Sequence, residues 1–331
     1  MLKEKLDAFD ESANNVVNIN GHEQPPVDED YLKSLMIPNG IDFAEYAQTR
    51  DSEKDNIKSP MHYLDEIKKS LKVNLIEGDT LPWTKTHDNL RFRPSEVTLW
   101  HGYSGHKKSM VLGYAAMNFA YSGHPVCIAS FEMKPVKTLM RLLKQASGTV
   151  TPTEYALDNF ANHFDNKLWI YDKMGNADLK ALFGVMYYCA DKLGVKHFVI
   201  DSLMRVVPSE DDYNAQKNFI VQVCAIANET NMHIHIVHHN RKGDESHAAG
   251  SQGAKGTGAI KDNVHNAIEV WTKYKDLEAR QKDNEFDAPD VYLLCTKQRE
   301  GEWEGNIGLW FDEQSLQFKG SKDATVRTWL R

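Results

Sequence analysis

Residues 102–109 have the composition and spacing of a loop that binds the phosphates of a nucleotide. They read GYSGHKKS, directly after the apolar run VTLWH and before a helical pattern. Gly102, Lys108 and Ser109 fit the pattern G-x-x-x-x-G-K-[ST], whereas Lys107 stands at the second glycine. Backbone N–H groups at a helix start bind phosphate oxygens. The segment predicts that Lys108 contacts the β- and γ-phosphates of a nucleoside triphosphate and that Ser109 holds Mg²⁺.

The lysine at position 107 leaves two interpretations of this loop open. Glycine at that position permits backbone geometry that other residues rarely adopt, so a lysine could obstruct the pocket, or it could add positive charge to it. The alternative for the whole segment is an ordinary Gly/Ser turn before a helix, with exposed lysines. In the nucleotide-binding interpretation, the other loop residues that line the site are Ser104, Gly105 and His106.

Two carboxylates follow later apolar runs. Glu132 comes just after CIASF, where it could orient and activate the attacking water. Its alternative is an acid at a helix start, before Pro135. Asp201 ends the run KHFVID, where it could bind Mg²⁺ directly or through water, and its alternative is an ordinary turn aspartate.

The run HIHIVHHN ends in two adjacent histidines, His238 and His239. A polar residue at this strand end could sense the γ-phosphate, and strand alternation places the two histidines on opposite faces. Histidines on a strand are more often packed or on the surface. His233 and His235 lie in the same run, so the four cannot all be functional.

Residues 240–258 are rich in glycine and serine and form a long connection, which favours a functional loop over a simple link. Arg241, Lys242 and Lys255 give this segment the basic character of a loop that grips single-stranded DNA. The alternative is a disordered surface loop.

The elements that must position these residues alternate along the chain from Glu96 onward. Helical patterns over 108–122, 135–147, 177–193 and 214–231 separate short β-branched runs. This order predicts an α/β fold with a mostly parallel central sheet covered on both faces. Two late strands near 290–297 and 306–311, joined by EGEWEGN, predict a C-terminal antiparallel hairpin at the sheet edge.

The sequence divides into four parts. Residues 1–60 are polar and predict a tail and linker, and residues 61–80 predict a linker region whose segment 61–72 has helical spacing of apolar residues. Residues 81–320 would hold the catalytic domain, and residues 321–331 a C-terminal tail.

Composition limits the classes of protein that are compatible with the chain. Its 331 residues are 41% hydrophobic and 26% charged, which is typical of a globular protein. Neither an apolar run of membrane-spanning length nor a secretory signal is present, so we expect a cytoplasmic location. The four cysteines are far apart in apolar runs, which predicts buried free thiols and no zinc ribbon. The net charge of −8 argues only weakly against DNA binding, because a ring channel needs basic residues only in its loops.

These features follow one another along the chain in the same order as in the DnaB-like replicative helicases, which include phage primase-helicases and Twinkle. Residues from about 80 to 318 resemble the helicase domain of this family. The similar segments are LRFRPSEV at 90–97, SFEM at 130–133, VIDSL at 199–203, KGTGAIKD at 255–262 and CTKQREG at 295–301. The resemblance implies a RecA-like P-loop NTPase core that hydrolyses ATP or another NTP with Mg²⁺. It further implies 5′–3′ translocation on single-stranded DNA, duplex unwinding and a role in DNA replication.

The resemblance also assigns roles. Glu132 would be the catalytic glutamate and His239 the γ-phosphate sensor. Arg299 would be an arginine finger that enters a neighbouring subunit's site, with Lys297 as its companion, and this implies a ring, usually a homohexamer. The helix at 61–72 would pack on the adjacent subunit. A separate primase or loader is an expected partner, and the source would be a phage or plasmid-like replicon, with no membrane association.

The chain departs from the family pattern at several positions. Lys107 replaces a glycine, Lys255 and Lys261 stand where arginines are common, and Asp262 stands where a DNA-contacting glutamine is common. No primase region is expected before the domain. Two other functions stay open: a RecA-fold, DNA-dependent ATPase that acts as a recombination mediator or regulatory module without unwinding, and a scaffold with impaired nucleotide binding.

Overall fold

The computed structural model describes residues 42, 60–65, 67–68, 78–207, 212–240, 245–249, 258–273 and 287–330. Most of the predicted tail at 1–60, much of the predicted helix at 61–72, and Arg241, Lys242 and Lys255 lie outside these residues. Among the helices within these ranges, none has the length and apolar character needed to cross a membrane.

A single nine-stranded sheet organises the described residues, in the order β3-β2-β4-β5-β1-β6-β7-β8-β9. The first six strands in this order run parallel, and β7, β8 and β9 continue the sheet in antiparallel pairs. The predicted mostly parallel sheet and its C-terminal hairpin are therefore confirmed. The strands are β1 (Val97–Gly102), β2 (Val126–Ser130), β3 (Leu168–Ile170), β4 (His197–Asp201), β5 (His233–His239), β6 (Asn266–Thr272), β7 (Val291–Gln298), β8 (Gly305–Asp312) and β9 (Gln317–Lys319).

Helices cover both faces of the sheet, and a hydrophobic core lies on each face. Alternation along β1 divides its side chains between the cores, with Trp100 in one and Leu99 in the other. The helices that pack into the first core are α1 (Lys108–Tyr121), α2 (Pro135–Ser147) and α3 (Glu154–Phe164). Those that pack into the second core are α4 (Leu179–Lys192), α5 (Tyr213–Thr230) and α6 (Gly258–Asn263).

The predicted elements agree with the observed ones except at a few places. The segment 135–147 is a helix with the predicted bounds, because Pro135 suits a first turn and Gly148 ends the helix with a positive φ of 72°. The helix Glu154–Phe164 and the strand Gln317–Lys319 were not predicted. The four cysteines are free: three are buried, and Cys224 is partly exposed.

The ends of the described chain touch the core in part. Trp329 is buried, and its ring lies 4.9 Å from that of Tyr114 in α1. At the other end, Pro60–Tyr63 form a 3₁₀ turn, and Met61 and Ile67 are exposed. The four-part division of the chain stays a prediction.

Candidate active site

The predicted phosphate-binding segment, residues 102–109, connects β1 to α1 at the carboxyl edge of the parallel strands. Lys108 is the first residue of α1, and its buried ammonium donates hydrogen bonds to the carbonyls of Gly102 at 2.9 Å and Tyr103 at 2.7 Å. Its Nζ also lies 3.2 Å from Nδ1 of His239, which must accept because an ammonium only donates. Burial lowers the pKa of Lys108 to about 8, although Asp201 and Glu132 oppose this shift.

Gly102 shows why this loop needs a glycine at its start. Its φ is 149°, and a Cβ atom there would lie 2.3 Å from the carbonyl oxygen of Val270. The close approach of β1 to β6 at this point therefore excludes any side chain. Further along the loop, Ser104 and Gly105 are exposed, and His106 is buried.

Lys107 caps α1 in the left-handed conformation, with φ 62° and ψ 16°. This is the backbone geometry that makes glycine common at the position. The side chain does not enter the loop: its Nζ lies over the ring of Phe311 in β8, 4.4 Å from the centroid. Lys107 therefore adopts a strained backbone conformation, and its ammonium makes a cation–π contact outside the loop.

Ser109 and Asp201 are brought together by the fold. Asp201 ends β4, and its buried carboxylate accepts a hydrogen bond from Ser109. Burial raises the pKa of Asp201, whereas the Ser109 hydrogen bond and the charge of Arg141 lower it. A hydroxyl and a carboxylate at adjacent positions are oxygen ligands of the kind that Mg²⁺ prefers, so these residues fit that ion.

Glu132 lies at the same edge, because β2 and β4 are neighbours and Ser130 is in register with Asp201. The carboxylate oxygen Oε1 accepts a hydrogen bond from the Ser202 hydroxyl at 3.0 Å and lies 3.4 Å from Nε of Arg205. Glu132 remains partly exposed, so these two partners orient a carboxylate that can still reach solvent.

Lys297 and Arg299 lie at the other edge of the sheet. Nζ of Lys297 donates to the carbonyls of Lys261 and Asp262 at the end of α6, and Arg299 donates to the Asp262 carbonyl at 3.3 Å. Because β7 is antiparallel to β6, its end at Gln298 pairs with the start of β6. The structure thus separates these two residues from the other predicted site residues.

Comparison with known proteins supports this architecture. A family model described as an AAA domain matches residues 70–245, more than half of the 331 residues. The chain belongs to the AAA domain family. No curated protein sequence matches this chain at a significant level.

Solved structures share its fold at low sequence identity. The ATPase domain of G40P superimposes with a TM-score of 0.64 and 14% identity, over 80% of this chain and 99% of that chain. A DnaB-like replicative helicase whose interactions with primase were studied superimposes with a TM-score of 0.65 and 15% identity, over 79% of this chain and 68% of that chain. The predicted RecA-like fold and the predicted resemblance to DnaB-like helicase domains are confirmed.

Two further strand histidines, His197 in β4 and His235 in β5, belong to a buried hydrogen-bond network. The indole N–H of Trp100 donates to Nδ1 of His235, so the proton of a neutral His235 is on Nε2, facing Nδ1 of His197. His197 therefore carries its own proton on Nε2, 2.8 Å from Asp79, which also lies beside His124. Because Nε2 of His197 carries this proton, it has no lone pair to offer a metal, and Asp79, His124 and His197 form a hydrogen-bond network.

Several residues that support the site were not identified from the sequence. Arg141 in α2 donates to the Ser109 carbonyl at 3.2 Å, and burial lowers its pKa. An arginine inside the apolar run LMRLL was the available signal. Arg205, which pairs with Glu132, has no such signal in the sequence. A second group at the base of the loop after β5 comprises His101, Asn240 and Glu269.

Proposed function

We propose that this AAA domain is a ring-forming DNA helicase that couples Mg-NTP hydrolysis to 5′–3′ translocation on single-stranded DNA and to duplex unwinding. The observation that carries the proposal is the convergence of Lys108, Ser109, Glu132, Asp201 and His239 at one edge of the sheet. These five residues come from four loops and strand ends, and they supply the groups that phosphoryl transfer to water requires.

Each of these residues has a role in hydrolysis that follows from its position. The nucleotide phosphates replace the carbonyls that now hold the Lys108 ammonium, and Ser104, Gly105, His106 and Lys107 contribute the loop backbone around them. Ser109 and Asp201 would hold Mg²⁺, which would supply positive charge beside the phosphates.

Glu132 and His239 would act on the reacting phosphate in different ways. Glu132 accepts the proton of the attacking water, because its carboxylate is held by Ser202 and Arg205 yet reaches solvent. His239 senses the γ-phosphate through Lys108, which it contacts at 3.2 Å.

The position of Arg299 supports assembly into a ring. The pairings of Thr98 with Asn266 and of Asn266 with Gln298 place the end of β7 about four residues from Gly102 along the strands, or roughly 13 Å. Arg299 follows β7, so it cannot reach the phosphate site of its own chain. A role for Arg299 and Lys297 in phosphoryl transfer requires that they enter the site of a neighbouring copy.

Two further segments complete the proposed assembly. The exposed apolar side chains of Met61, Leu64 and Ile67 could pack on the adjacent subunit as part of the linker helix. The loop 240–257, with Arg241, Lys242 and Lys255, follows the sensor His239 and would bind single-stranded DNA. A separate primase or loader remains an expected partner.

The assembly and the polarity can be tested together on the full chain. We expect a hexamer with Mg-ATP and single-stranded DNA in sedimentation analysis, and strand displacement that requires a 5′ single-stranded tail. A forked duplex with a 3′ tail alone is the matched control. An open filament, or DNA-dependent ATPase activity without strand displacement, would contradict the helicase proposal and support the recombination mediator.

A further inference from the structure

A buried carboxylate lies at the edge of the sheet opposite to the phosphate site. Glu96 directly precedes β1, and only 4% of its surface is exposed. Its Oε2 atom accepts a hydrogen bond from the Asn266 side chain at 2.8 Å, and Nη1 of Arg93 lies 3.6 Å from its Oε1 atom. Burial raises the pKa of Glu96, whereas the hydrogen bond from Asn266 and the charge of Arg93 lower it. A buried carboxylate depends on such partners, because its removal from water costs free energy.

Asn266 lies where the strands β6 and β7 meet. It is the first residue of β6 and pairs with Gln298, the last residue of β7. Arg299 follows, and its backbone N–H donates to the His265 carbonyl at 2.9 Å. The hydrogen bond between Asn266 and Glu96 therefore holds the strand pair at the point from which Arg299 extends.

The segment 89–97 contacts the same strand pair on both of its strands. The backbone N–H of Val97 donates to Nδ1 of His265 at 3.0 Å, and the backbone N–H of His265 donates to the Val97 carbonyl at 3.0 Å. The side chain of Gln298 donates to the Asn89 carbonyl at 2.9 Å. These contacts and the one made by Glu96 attach the start of β6 and the end of β7 to one short segment.

The pairing of β6 with β7 is irregular next to this point. The register shifts between Ala267 and Ile268, so β7 carries one extra residue, Thr296. Such a bulge bends its strand and changes the direction of nearby side chains. The directions of Lys297 and Arg299, which follow the bulge, therefore depend on how the start of β6 is held.

We propose that Glu96 is a positioning residue for Arg299, which it holds through Asn266 in the direction needed to enter the site of a neighbouring copy. The inference rests on the proposed function. Six residues of extended strand separate Glu96 from Gly102, or about 20 Å, so Glu96 does not act on the phosphate loop of its own chain. Its loss should lower turnover and leave nucleotide affinity unchanged.

The first test compares full-length wild type, Glu96→Ala and Glu96→Gln by steady-state ATPase kinetics and by titration with a nonhydrolysable Mg-ATP analogue. A displacement of about 1 Å at a reacting group costs on the order of 10²-fold in rate, so we expect a loss of kcat of about that size in Glu96→Ala. Glu96→Gln keeps an acceptor for Asn266 and should have an intermediate kcat. The dissociation constant of the analogue should match the wild type in both variants.

Subunit mixing separates positioning of the arginine from general damage to the subunit. Glu96→Ala keeps an intact base, so mixing it with Glu132→Gln, which keeps an intact arginine, should restore turnover. Mixing Glu96→Ala with Arg299→Ala should not restore it, because neither subunit then presents a working arginine to its neighbour. A general structural defect in Glu96→Ala would leave both mixtures inactive.

Asp79→Asn is the matched control. Asp79 is another carboxylate at the same edge of the sheet, but it lies 2.8 Å from Nε2 of His197 in β4 and not beside β6. Its variant should keep the wild-type kcat. If Glu96→Ala does not fold, Asn266→Ala removes the other partner of the same hydrogen bond, and the same loss of kcat and the same mixing pattern are expected from it.

The outcomes distinguish the inference from the proposed function. Wild-type kcat in the variant tested, or failure of Glu132→Gln to restore its turnover, would overturn the positioning role of Glu96 alone. An equal loss of kcat in Asp79→Asn would also overturn it. An inactive mixture of Glu132→Gln with Arg299→Ala would overturn the proposed action of Arg299 in a neighbouring site, and the inference with it.

Discussion

Replacement of Lys107 by glycine tests whether the unusual phosphate loop is a working one. The lysine has φ 62°, and its ammonium lies over the ring of Phe311, outside the loop. Because the side chain is directed away from the phosphate position, we expect Lys107→Gly to change the dissociation constant for Mg-ATP by less than about threefold, which corresponds to roughly 0.7 kcal/mol.

The expected effect on stability is also small, because opposing contributions nearly cancel. Glycine relieves left-handed strain that costs an L-residue roughly 1–2 kcal/mol. The variant loses the cation–π contact, which contributes about 0.5–1 kcal/mol, and glycine adds about 0.5–1 kcal/mol of unfolded-state freedom. The free energy of unfolding should therefore stay within about 1 kcal/mol of the wild type.

The assay is a titration with a fluorescent ATP analogue in the presence of Mg²⁺, combined with denaturant unfolding. Lys107→Ala is the matched control, because it removes the cation but keeps a β-carbon at the strained φ. Binding that is tenfold tighter in Lys107→Gly would show that the lysine obstructs the pocket. Binding that is tenfold weaker in both variants would show that the ammonium contacts the phosphates. Either result would contradict a Lys107 side chain that is directed away from the nucleotide.

Three further predictions concern the groups around the phosphate. The pKa of Lys108 is about 8 without ligand, and bound phosphates must raise it. The affinity for Mg-ATP should therefore be constant below pH 8 and should fall by up to about tenfold per pH unit above it. A flat profile in a binding titration between pH 7 and 10 would contradict this prediction. Glu132→Gln should lower kcat by about 10²- to 10⁴-fold with little change in nucleotide affinity, as measured by steady-state kinetics and titration, and retention of turnover would exclude Glu132 as the base. Arg299→Ala should lower kcat by on the order of 10³-fold. Mixing it with Glu132→Gln should restore activity, because mixed rings contain sites with an intact base and an intact neighbouring arginine; an inactive mixture would contradict action in trans.

Strand ends were the part of the site that could be predicted from the sequence. Glu132, Asp201 and His239 each follow an apolar run, and the carboxyl ends of parallel strands meet at one edge. The structure places all three there, since β2, β4 and β5 are neighbours in the sheet. The residues that hold these three side chains, such as Arg205 beside Glu132, could not be predicted. Their contacts depend on side-chain directions that no local sequence pattern specifies.

Other features depend on contacts between distant parts of the chain. The conformation of Lys107 could be anticipated from the glycine pattern, but its contact with Phe311 joins α1 to β8, far apart in the sequence. The strand Gln317–Lys319 is too short to show a period and exists through its pairing with β8. The helix Glu154–Phe164 did carry a local signal, because Thr153 caps it by accepting a hydrogen bond from the Ala156 N–H.

We propose that the site around Lys108 hydrolyses nucleotide in a manner controlled by DNA. The most direct test is steady-state ATPase activity of the full chain with Mg²⁺, with and without single-stranded DNA, for the wild type and Lys108→Ala. We expect turnover in the wild type that rises when DNA is added, and loss of turnover in Lys108→Ala under both conditions. Zero turnover in the wild type, or equal turnover in the two proteins, would contradict it.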